Sequence, residues 1–573
     1  MKTIVRRDCI TNKLPDNLHP VLGRILANRG IKDISELDYS LKNLLPYSAL
    51  LDIDKAVNLL YKAIVKQDRI LIVADFDADG ATSCTLAIKA LKQMGANKVG
   101  FVVPNRKEHG YGLKPEIVEL IDELPLMTTT TAGTGSDLLI TVDNGISSHA
   151  GVEAAKQKGM QVIITDHHEP GHKLPNADAI VNPKQSGDNF PSKNLCGVGV
   201  IFYVMLALRA YLRDNNWFND IPEPNLAEYL DLVALGTVAD VVSLDYNNRI
   251  LVEQGLRRIR ANSCCPGIRA LIQEAKRDQR NLVASDLAFY LGPRLNAAGR
   301  MDDMSYGIAC LLCEDDFAAK QHTKLLQIFN QERRLEEAKM NQEAIDMLEI
   351  EEVDNFGLCL LDENWHQGVT GILASRIKDR LHRPVIIFTH DTDTTIRGSG
   401  RSVSGVNIRD VIDAIATKNP SMVIHFGGHA MAAGLTIQRD QFEIFQQAFD
   451  NEISKYLSAE ELHGVVLSDG ELAANDFNQK LAEKLQSVTP WGHDFPEPIF
   501  DGNFELVDHK ILKERHLKMR VRPIDGEQMI DAIAFNTGNI KLDTTQIQLA
   551  YRLEINVFRG NKRLQLMVEH VGE

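Results

Sequence analysis

One short stretch constrains the fold of this chain more than any other. Residues 70–74 read Ile-Leu-Ile-Val-Ala, and such an unbroken apolar run is typical of a parallel strand that is buried on both faces. Asp75, Asp77 and Asp79 follow at alternate positions, where that strand should end. Because open α/β sheets build their sites at the carboxyl ends of their strands, the stretch predicts both a fold class and a site.

The three carboxylates of this stretch repel one another, and burying them without a counter-charge is costly. A divalent cation removes that cost, and hard oxygen ligands favour Mg²⁺ or Mn²⁺. The alternatives are a solvated acidic turn, a helix N-terminus stabilised by acidic side chains, and an EF-hand loop. The EF-hand is excluded because a strand precedes the motif and Leu86 stands where the twelfth loop residue should be glutamate.

Later segments repeat the pattern of an apolar strand that ends in an acid or a histidine. Asp143 follows the run Leu-Leu-Ile-Thr-Val, and Asp166, His167 and His168 follow Val-Ile-Ile-Thr. A further segment, helical at its start, brings Asp240 beside small residues. Strands that alternate with helices and end in acids predict a doubly wound parallel sheet.

These residues could together hold two divalent ions. The candidate ligands are Asp75, Asp77, Asp79, Asp143, His167 and Asp240. Asp143 is the predicted bridge, because it stands alone at the end of a central strand. Two neighbouring divalent ions suit phosphoryl transfer, in which His168 could hydrogen-bond a phosphoryl oxygen or protonate the leaving group. The alternative for the His-His pair is a structural or capping role.

The first α/β domain is predicted to span residues 51–314, with LGPRLNAAGRM as a loop within it. The rest of the chain predicts four further regions. Residues 1–50 read as a helical lead-in. Residues 315–350 have no Gly or Pro and many charge pairs at i, i+4, which predicts one long helix between two domains. Residues 351–460 read as a second α/β domain. Short alternating strands within residues 461–573 favour an OB-like β-barrel.

Two glycine-rich segments of the second domain, RGSGRSVSGVN and HFGGHAMAAGLTI, are interpreted as loops. Loops of this kind let the backbone approach a phosphate or a nucleic-acid backbone closely, although glycine-rich turns also occur as tight connections. The Thr-rich residues 127–136 are of low complexity and read as a surface insertion.

Composition narrows the class of protein. The 573 residues are 44% hydrophobic and 25% charged, as in an ordinary globular protein, and no apolar run is long enough for a membrane span or a signal peptide. The eight cysteines are scattered, which favours a reducing cytoplasm, and the Cys310–Cys313 spacing is interpreted as helix packing. The net charge of −15 does not exclude a nuclease, because a basic groove can occupy a small part of the surface.

The motifs DFDADG, VDNG, TDHHEP and ALGTVADVV resemble the four motifs of the DHH phosphoesterase superfamily, and GSGRS and FGGHAMAAG resemble its DHH-associated domain. Together with NRKEHGYGL, LCGVGVIF, GPRLNAAGRM and the β-rich end, the series is similar to that of the bacterial single-strand-specific 5′→3′ DNA exonucleases. The resemblance implies an exodeoxyribonuclease that uses two Mn²⁺ or Mg²⁺ ions and acts in DNA recombination and repair.

The resemblance also implies roles for single residues. The metal ligands would be Asp77, Asp79, Asp143, His167 and Asp240. His168 would contact the scissile phosphate, with His429 close by. Asp75 stands where many members of the superfamily have a histidine. It is predicted to be a catalytic residue, together with His168 and His429. A pocket for the 5′-terminal phosphate would contain Arg106, Arg294, Ser399 and Arg401.

The resemblance further implies how a single strand is selected. The long helix would join the two α/β domains around a cleft too narrow for duplex, and the OB-like end would add stacking and charge along the strand. The expected partners are single-stranded DNA with a 5′ end, a single-stranded-DNA-binding protein and a RecQ-type helicase. We expect a cytoplasmic monomer without membrane association.

Two alternatives remain open at this point. One is a DHH phosphodiesterase or pyrophosphatase that acts on small nucleotides or short oligonucleotides; such relatives are generally shorter and lack the C-terminal β-region. The other is a non-catalytic scaffold with a decayed metal site, although every ligand position here holds a competent side chain.

Overall fold

The computed structural model describes residues 2–8, 14, 18–121, 137–350, 355–458, 462–513, 515–535, 537, 542, 544–558 and 560–572. The chain divides into two compact units, Leu41–Leu462 and the pair of segments Met1–Ser40 and His463–Glu573. The predicted Thr-rich insertion at 127–136 lies outside the described residues. The domain boundaries predicted at residues 50, 314, 350 and 460 stay predictions.

The described residues form strands and helices that are numbered in chain order. The strands are β1 (Thr3–Arg6), β2 (Ile70–Ala74), β3 (Val99–Val102), β4 (Leu138–Val142), β5 (Gln161–Thr165), β6 (Ala179–Val181), β7 (Leu358–Leu361), β8 (Val385–His390), β9 (Thr395–Arg401), β10 (Val423–Gly428), β11 (Ala432–Gln438), β12 (Val465–Ser468), β13 (Phe500–Leu512), β14 (His516–Pro523), β15 (Ile530–Ala534), β16 (Gln546–Phe558) and β17 (Asn561–Gly572). The helices are α1 (Pro20–Asn28), α2 (Ile53–Lys66), α3 (Ala78–Gln93), α4 (Pro115–Leu120), α5 (His149–Gln157), α6 (Gly197–Asp214), α7 (Leu230–Ala239), α8 (Tyr246–Arg260), α9 (Pro266–Glu274), α10 (Ala284–Asp286), α11 (Gly292–Met301), α12 (Ser305–Leu312), α13 (Asp316–Ile350), α14 (Thr370–Leu381), α15 (Ile408–Lys418), α16 (Phe442–Ile453) and α17 (Gln479–Ser487). No helix in these ranges is both long enough and apolar enough to cross a membrane.

A five-stranded parallel sheet organises the first part of the larger unit. Its strands follow the order β3-β2-β4-β5-β6, and every residue of β2 and β4 is buried. From β2 the chain passes to β3 on one side and then returns to β4 on the other, so the strand order reverses between β2 and β4. Open α/β sheets bind their ligands outside the carboxyl ends of the strands that flank such a reversal. The predicted parallel α/β sheet is confirmed.

Helix α13 joins this domain to the second α/β domain of the same unit over 35 residues. In its first half Ala319 and Leu326 are buried, and the helix packs against α9, α11 and α12. In its second half Met340 and Ala344 belong to a core that also contains Trp365 and residues of β7, β8 and α14. The predicted long connecting helix is therefore present, and it is packed into both domains.

The second domain contains a mixed sheet of order β10-β11-β9-β8-β7. The interpretation of its two glycine-rich segments as loops was wrong, because β9 covers RGSGR and β10 and β11 cover most of HFGGHAMAAGLTI. The glycines make room for large neighbours. A Cβ at Gly398 would lie 2.6 Å from the Phe388 ring, and one at Gly400 would lie 2.7 Å from Ile408.

The segment GPRLNAAGRM was also misread as a loop, since it forms helix α11. Pro293 lies just after the π-helical turn Leu287–Leu291, which continues directly into α11. A proline inside a helix removes a backbone hydrogen bond, and this local change of helix type accommodates it. A Cβ at Gly299 would lie 1.9 Å from the carbonyl oxygen of Phe76, so this glycine lets α11 pack directly against the Asp-rich motif.

The smaller unit contains a closed barrel in the order β13-β14-β15-β17-β16, which confirms the predicted OB-like fold. Strand β1, in the segment that the sequence pattern assigned to helix, pairs in parallel with β12. The unit also buries an ion pair. Arg29 donates to both carboxylate oxygens of Asp469 at 2.8 and 3.0 Å, and both side chains are only 1% exposed.

Removing one partner of this buried pair should destabilise the smaller unit strongly. Arg29→Ala removes the two hydrogen bonds of the pair and leaves the buried Asp469 with only the longer ion pair to Arg7, at 3.8 Å, so we expect a loss of about 3 kcal/mol in the free energy of unfolding. Lys562→Ala, which breaks an exposed ion pair with Glu483 in the same unit, is the control and should cost less than about 1 kcal/mol. Denaturant unfolding measures both, and equal losses would contradict the prediction.

Candidate functional site

The carboxyl ends of neighbouring strands carry the polar residues of the site. Asp75 follows β2, Asp143 follows β4, and His167 lies two residues beyond β5. Asp240 comes from the C-terminus of α7, which packs against α3. Asp143 has a left-handed backbone with a φ of 62°, so the chain turns sharply as it leaves β4. The adjacent parallel strands therefore deliver these side chains to one place at the reversal point of the sheet.

The imidazole of His167 lies at the centre of the carboxylates. Its Nε2 atom is 3.0 Å from Asp143 Oδ1, 3.5 Å from Asp240 Oδ2 and 4.0 Å from Asp79 Oδ2. Three sets of residues each bring three ligand atoms within 4.8 Å of one another: Asp75, Asp77 and Asp143; Asp79, His167 and Asp240; and Asp143, His167 and His168. Asp143 and His167 each belong to two of these sets.

Two of the aspartates are fixed by backbone N–H groups. Asp77 caps helix α3 by accepting from the N–H groups of Asp79 and Gly80 at 2.9 and 3.0 Å. Asp79 accepts at its two oxygens from the N–H groups of Gly197 and Val198, at 2.6 and 2.9 Å, at the start of α6. A carboxylate is stabilised at such a helix N-terminus. The orientation of Asp79 is thus set by α3 and α6 together.

Burial and mutual repulsion shift the carboxylates of the cluster away from their ordinary acidity. Burial, followed by the charge of Asp77, raises the pKa of Asp75 to about 8 and that of Asp79 to about 7. Burial and neighbouring aspartates raise the pKa values of Asp143 and Asp240 well above the usual range. Burial, together with the charge of His168, lowers the pKa of His167 well below its usual value, so this imidazole is neutral and able to act as a ligand.

The cluster fits a hard divalent cation. The atoms Asp75 Oδ1, Asp143 Oδ1 and His167 Nε2 are buried and make no hydrogen bond within the described ranges. Buried polar atoms of a native protein normally have partners, and these three point to a bound ion. Carboxylate oxygens, which outnumber the histidine nitrogens in this cluster, suit Mn²⁺ or Mg²⁺.

His168 stands beside this cluster and is held from several sides. Its Nδ1 atom lies 2.7 Å from Asp166 Oδ1 and 3.1 Å from the Tyr111 hydroxyl. Its ring stacks on that of His429, from the second domain, with 5.4 Å between ring centres. Burial opposes its charged form, but Asp166 outweighs that effect and raises the pKa of His168 to about 9. His168 is therefore a cation at neutral pH.

A set of arginines adjoins the acidic cluster in the same unit. The guanidinium group of Arg106 stacks on the ring of Phe76, with Cζ 4.1 Å from the ring centre. Phe76 stands between Asp75 and Asp77 in the sequence. Burial and then the charges of Arg106 and Arg401 lower the pKa of Arg300 to about 9. Burial, followed by the charge of Arg106, also lowers the pKa of Arg401. Over the described part of the chain, none of these three guanidinium groups forms an ion pair with a carboxylate.

Residues at the start of α14 complete this basic pocket. Arg300 donates to the carbonyl oxygen of Gly368 at 3.0 Å, and a Cβ on Gly371 would lie 2.8 Å from Arg401 Nη2. Ser399 Oγ accepts from Thr370 Oγ1 at 3.0 Å. Ser399 and Arg401 lie two residues apart on β9 and so share one face of the strand. The pocket thus combines three guanidinium groups, a hydroxyl group and a helix N-terminus, which is a favourable setting for a phosphate.

The contacts of Arg294 differ from those of the other residues that were predicted for the phosphate pocket. Its Nη1 donates to the carbonyl oxygen of Tyr290 at 2.5 Å, and the charges that act on it come from Glu274 and Arg334. Sequence reasoning missed Arg300, which belongs to the same helix. Six residues of an α-helix turn through about 240°, so Arg294 and Arg300 point to different sides of α11. If GPRLNAAGRM had been interpreted as a helix, Arg294 and Arg300 would have been predicted to lie on different sides of it.

Sequence reasoning also missed two residues that hold His168. Asp166 accepts from the backbone N–H groups of Ile146, His167 and His168, in addition to the His168 ring. Tyr111 belongs to the loop NRKEHGYGL, from which only Arg106 was predicted as a site residue. The aspartate directly before the His-His pair was a visible signal; nothing local in the sequence marked Tyr111.

Comparisons with known proteins agree with this domain order. The model of the DHH family, N-terminal domain, matches residues 69–237, the DHHA1 domain matches residues 354–455, and the RecJ OB domain matches residues 468–570. The structure resembles the crystal structure of RecJ from Thermus thermophilus in complex with Mn²⁺, with a TM-score of 0.80 and 28% identity over 97% of this chain and 76% of that chain.

Two curated relatives match along nearly their whole length. The chain is 50% identical to the single-stranded-DNA-specific exonuclease RecJ of Dickeya dadantii (strain 3937) over 99% of this chain and 98% of the relative. It is 49% identical to the protein of the same name from Escherichia coli (strain K12) over 98% of this chain and 97% of the relative. These matches confirm the predicted superfamily. The chain belongs to the RecJ family of DHH proteins.

Proposed function

We propose that this chain is a metal-dependent exonuclease that digests single-stranded DNA from its 5′ end. The observation that carries the proposal is the position of the buried acid and histidine cluster beside three arginines, Arg106, Arg300 and Arg401, that form no ion pair with a carboxylate among the described residues. The cluster suits hydrolysis of a phosphodiester, and the arginines suit a terminal phosphate. The activity named for the relatives supports the same conclusion, since the match extends over 98% and 97% of their lengths.

The metal ligands in this proposal are Asp77, Asp79, Asp143, His167 and Asp240, with Asp75 beside them. Asp143 is the proposed bridge, because it shares a set of close ligand atoms both with Asp75 and Asp77 and with His167. Two divalent ions, when bound, lower the pKa of a water molecule and stabilise negative charge on the phosphoryl oxygens. The chain itself keeps the ligands fixed on the ends of strands and helices, which favours a precise geometry.

His168 is the proposed contact of the scissile phosphate. As a cation held by Asp166, it can donate a hydrogen bond from Nε2 to a phosphoryl oxygen, or a proton to the leaving oxygen. The stacked His429 approaches the same group from the second domain. Burial and the charge of His168 lower the pKa of His429, so this second imidazole is neutral and can accept or donate a hydrogen bond.

The proposed site for the 5′-terminal phosphate is the pocket of Arg106, Arg300, Ser399 and Arg401 at the start of α14. Arg300 takes the place that sequence reasoning gave to Arg294. Arg106 lies against Phe76, inside the Asp-rich motif, so the terminal phosphate would bind close to the metal ligands. This proximity favours the release of short products from the 5′ end.

The barrel of the smaller unit is a further proposed contact for the strand. The residues that line a cavity of about 640 Å³ include Arg520, Met529, Lys562 and Arg563, together with one carboxylate, that of Asp531. Basic and apolar side chains on a barrel of this kind suit the phosphates and bases of single-stranded nucleic acid. Binding of a single-stranded-DNA-binding protein and a RecQ-type helicase, a cytoplasmic location and a monomeric state stay predictions.

The direct test uses single strands labelled at opposite ends, with Mn²⁺, Mg²⁺ or EDTA and a duplex control. We expect mononucleotides to appear first from the 5′ end, only with metal and only from single strands. His167→Ala should abolish digestion, because this imidazole lies among three carboxylates, whereas the exposed His149→Ala should digest normally. Digestion from the 3′ end would contradict the proposal, and turnover of only pyrophosphate or a dinucleotide would favour the small-substrate alternative.

The phosphate pocket predicts a preference for phosphorylated ends that depends on Arg401 and Arg300 but not on Arg294. A charged hydrogen bond is worth about 1.5–3 kcal/mol, so Arg401→Ala or Arg300→Ala should lower the ratio of kcat/KM on 5′-phosphate and 5′-hydroxyl strands about tenfold or more. Arg294→Ala, on the same helix as Arg300, is the matched control and should keep the ratio. Equal losses on both kinds of end would count against the pocket.

Metal affinity should fall steeply as the solution becomes more acidic. The pKa values of Asp75 and Asp79, about 8 and 7, are raised, so ions must displace protons from these groups below those values. We expect the Kd for Mn²⁺, measured by calorimetry, to rise at least about tenfold from pH 8 to pH 6.

The same raised pKa values give the metal-free protein a stability that is largest at low pH and is lost as pH rises through 7 to 8. Mn²⁺ should therefore raise Tm more at pH 8.5 than at pH 6. A pH-independent Kd would show that these carboxylates are not ligands.

A further inference from the structure

We propose that Tyr111 is a positioning residue for hydrolysis, which holds the His168 ring toward the scissile phosphate through its hydroxyl group. The inference rests on the proposed function, since it assigns a role within the same site. Tyr111 comes from the loop between β3 and α4.

The hydroxyl group of Tyr111 makes two contacts that fit its hydrogen-bonding capacity. It donates to the backbone carbonyl oxygen of Asp143 at 3.2 Å, and its oxygen lies 3.1 Å from His168 Nδ1. A tyrosine has one proton to donate and can also accept. Because the proton goes to Asp143, the oxygen is free to accept from the Nδ1–H group, which Asp166 also accepts at 2.7 Å. Asp166 and Tyr111 together fix the orientation of the imidazolium ring, and its Nε2–H group is left for the substrate.

The rings around His168 limit its motion from both sides. Tyr111 meets His168 edge to face with 5.5 Å between ring centres, and His429 stacks on it at 5.4 Å. Phe76 in turn contacts the Tyr111 ring at 6.2 Å, and Arg106 covers Phe76. The loop that carries Arg106 to the phosphate pocket thus also carries Tyr111 to His168.

The position of Tyr111 separates this role from two others. The residue is 43% exposed, so its ring is not a core residue whose loss would leave a cavity. An exposed ring beside the site could instead stack on a base of the strand. Stacking needs only the ring, whereas positioning needs the hydroxyl group, and Tyr111→Phe distinguishes the two.

The experiment compares the wild-type chain, Tyr111→Phe and Tyr111→Ala on a single-stranded oligonucleotide with Mn²⁺. Removing a group that orients a functional histidine typically costs about tenfold or more in activity. We therefore expect Tyr111→Phe to lower kcat about tenfold, with KM and the Kd for Mn²⁺ changed less than about twofold. Tyr111→Ala should show the same or a larger loss of kcat.

Tyr203→Phe is the matched control, because it removes a fully buried hydroxyl group that donates to Asn247 at 2.8 Å in the same unit. It should lower Tm without lowering kcat. A normal kcat in Tyr111→Phe with a raised KM in Tyr111→Ala would overturn the inference in favour of base stacking. A loss of Mn²⁺ affinity equal to the loss of kcat would also overturn it, because the hydroxyl group would then act through Asp143. Failure of the wild-type chain to digest the strand would instead refute the proposed function.

Discussion

Repulsion among buried carboxylates at the reversal point of the parallel sheet is the constraint on which the rest of the site depends. Asp75, Asp79 and Asp143 are almost fully buried, and within the described residues no lysine or arginine forms an ion pair with them. Buried carboxylates without such ion pairs repel one another until protons or a bound cation reduce their charge. Metal binding, the acidity of the cluster and the stability of this part of the fold are consequently coupled.

The same constraint explains why the backbone around the cluster is so tightly packed. A Cβ at Gly197 would lie 2.5 Å from the Cβ of Asp143, and one at Gly236 would lie 2.8 Å from Asp79 Oδ1. Helices α6 and α7 can therefore approach the carboxylates closely enough to supply N–H donors to Asp79 and the side chain of Asp240. The glycines at positions 197 and 236 are therefore needed for the geometry of the site as well as for the packing of the fold.

Much of the fold and of the acidic cluster could be predicted because both depend on local patterns. An apolar run predicts a buried strand, and the polar residue that ends it must meet its neighbours at the same edge of a parallel sheet. The glycine-rich strands β9, β10 and β11 could not be predicted in this way. Glycine is common both in turns and at close packing contacts, and in β9 the contacts with Phe388 of the neighbouring strand β8 and with Ile408 of α15 distinguish the two.

Arg294 and Arg300 also show that local sequence patterns cannot predict tertiary contacts. Arg294 and Arg300 are the same residue type, six residues apart, and only the helical conformation of α11 gives them different surroundings. Tyr111 and Arg300 reach the site through tertiary contacts with His168 and Gly368, which lie far away in the sequence. Local pattern therefore identifies ligands at strand ends well, and it identifies the residues that orient them poorly.

Helix α13 relates the acidic cluster to the phosphate pocket. Leu326 is buried in its first half, and Met340 packs its second half into the second domain. Between them, Glu337 of α13 forms ion pairs with Arg333 of the same helix and with Arg376 of α14 in the second domain. The His168–His429 stack and the hydrogen bond from Arg300 to Gly368 join the same two domains at the site. Under the proposed function, the separation between the acidic cluster and the phosphate pocket fixes the distance from the terminal phosphate to the bond that is cut. Product length would then be a property of domain packing, and the acidic cluster alone would not determine it.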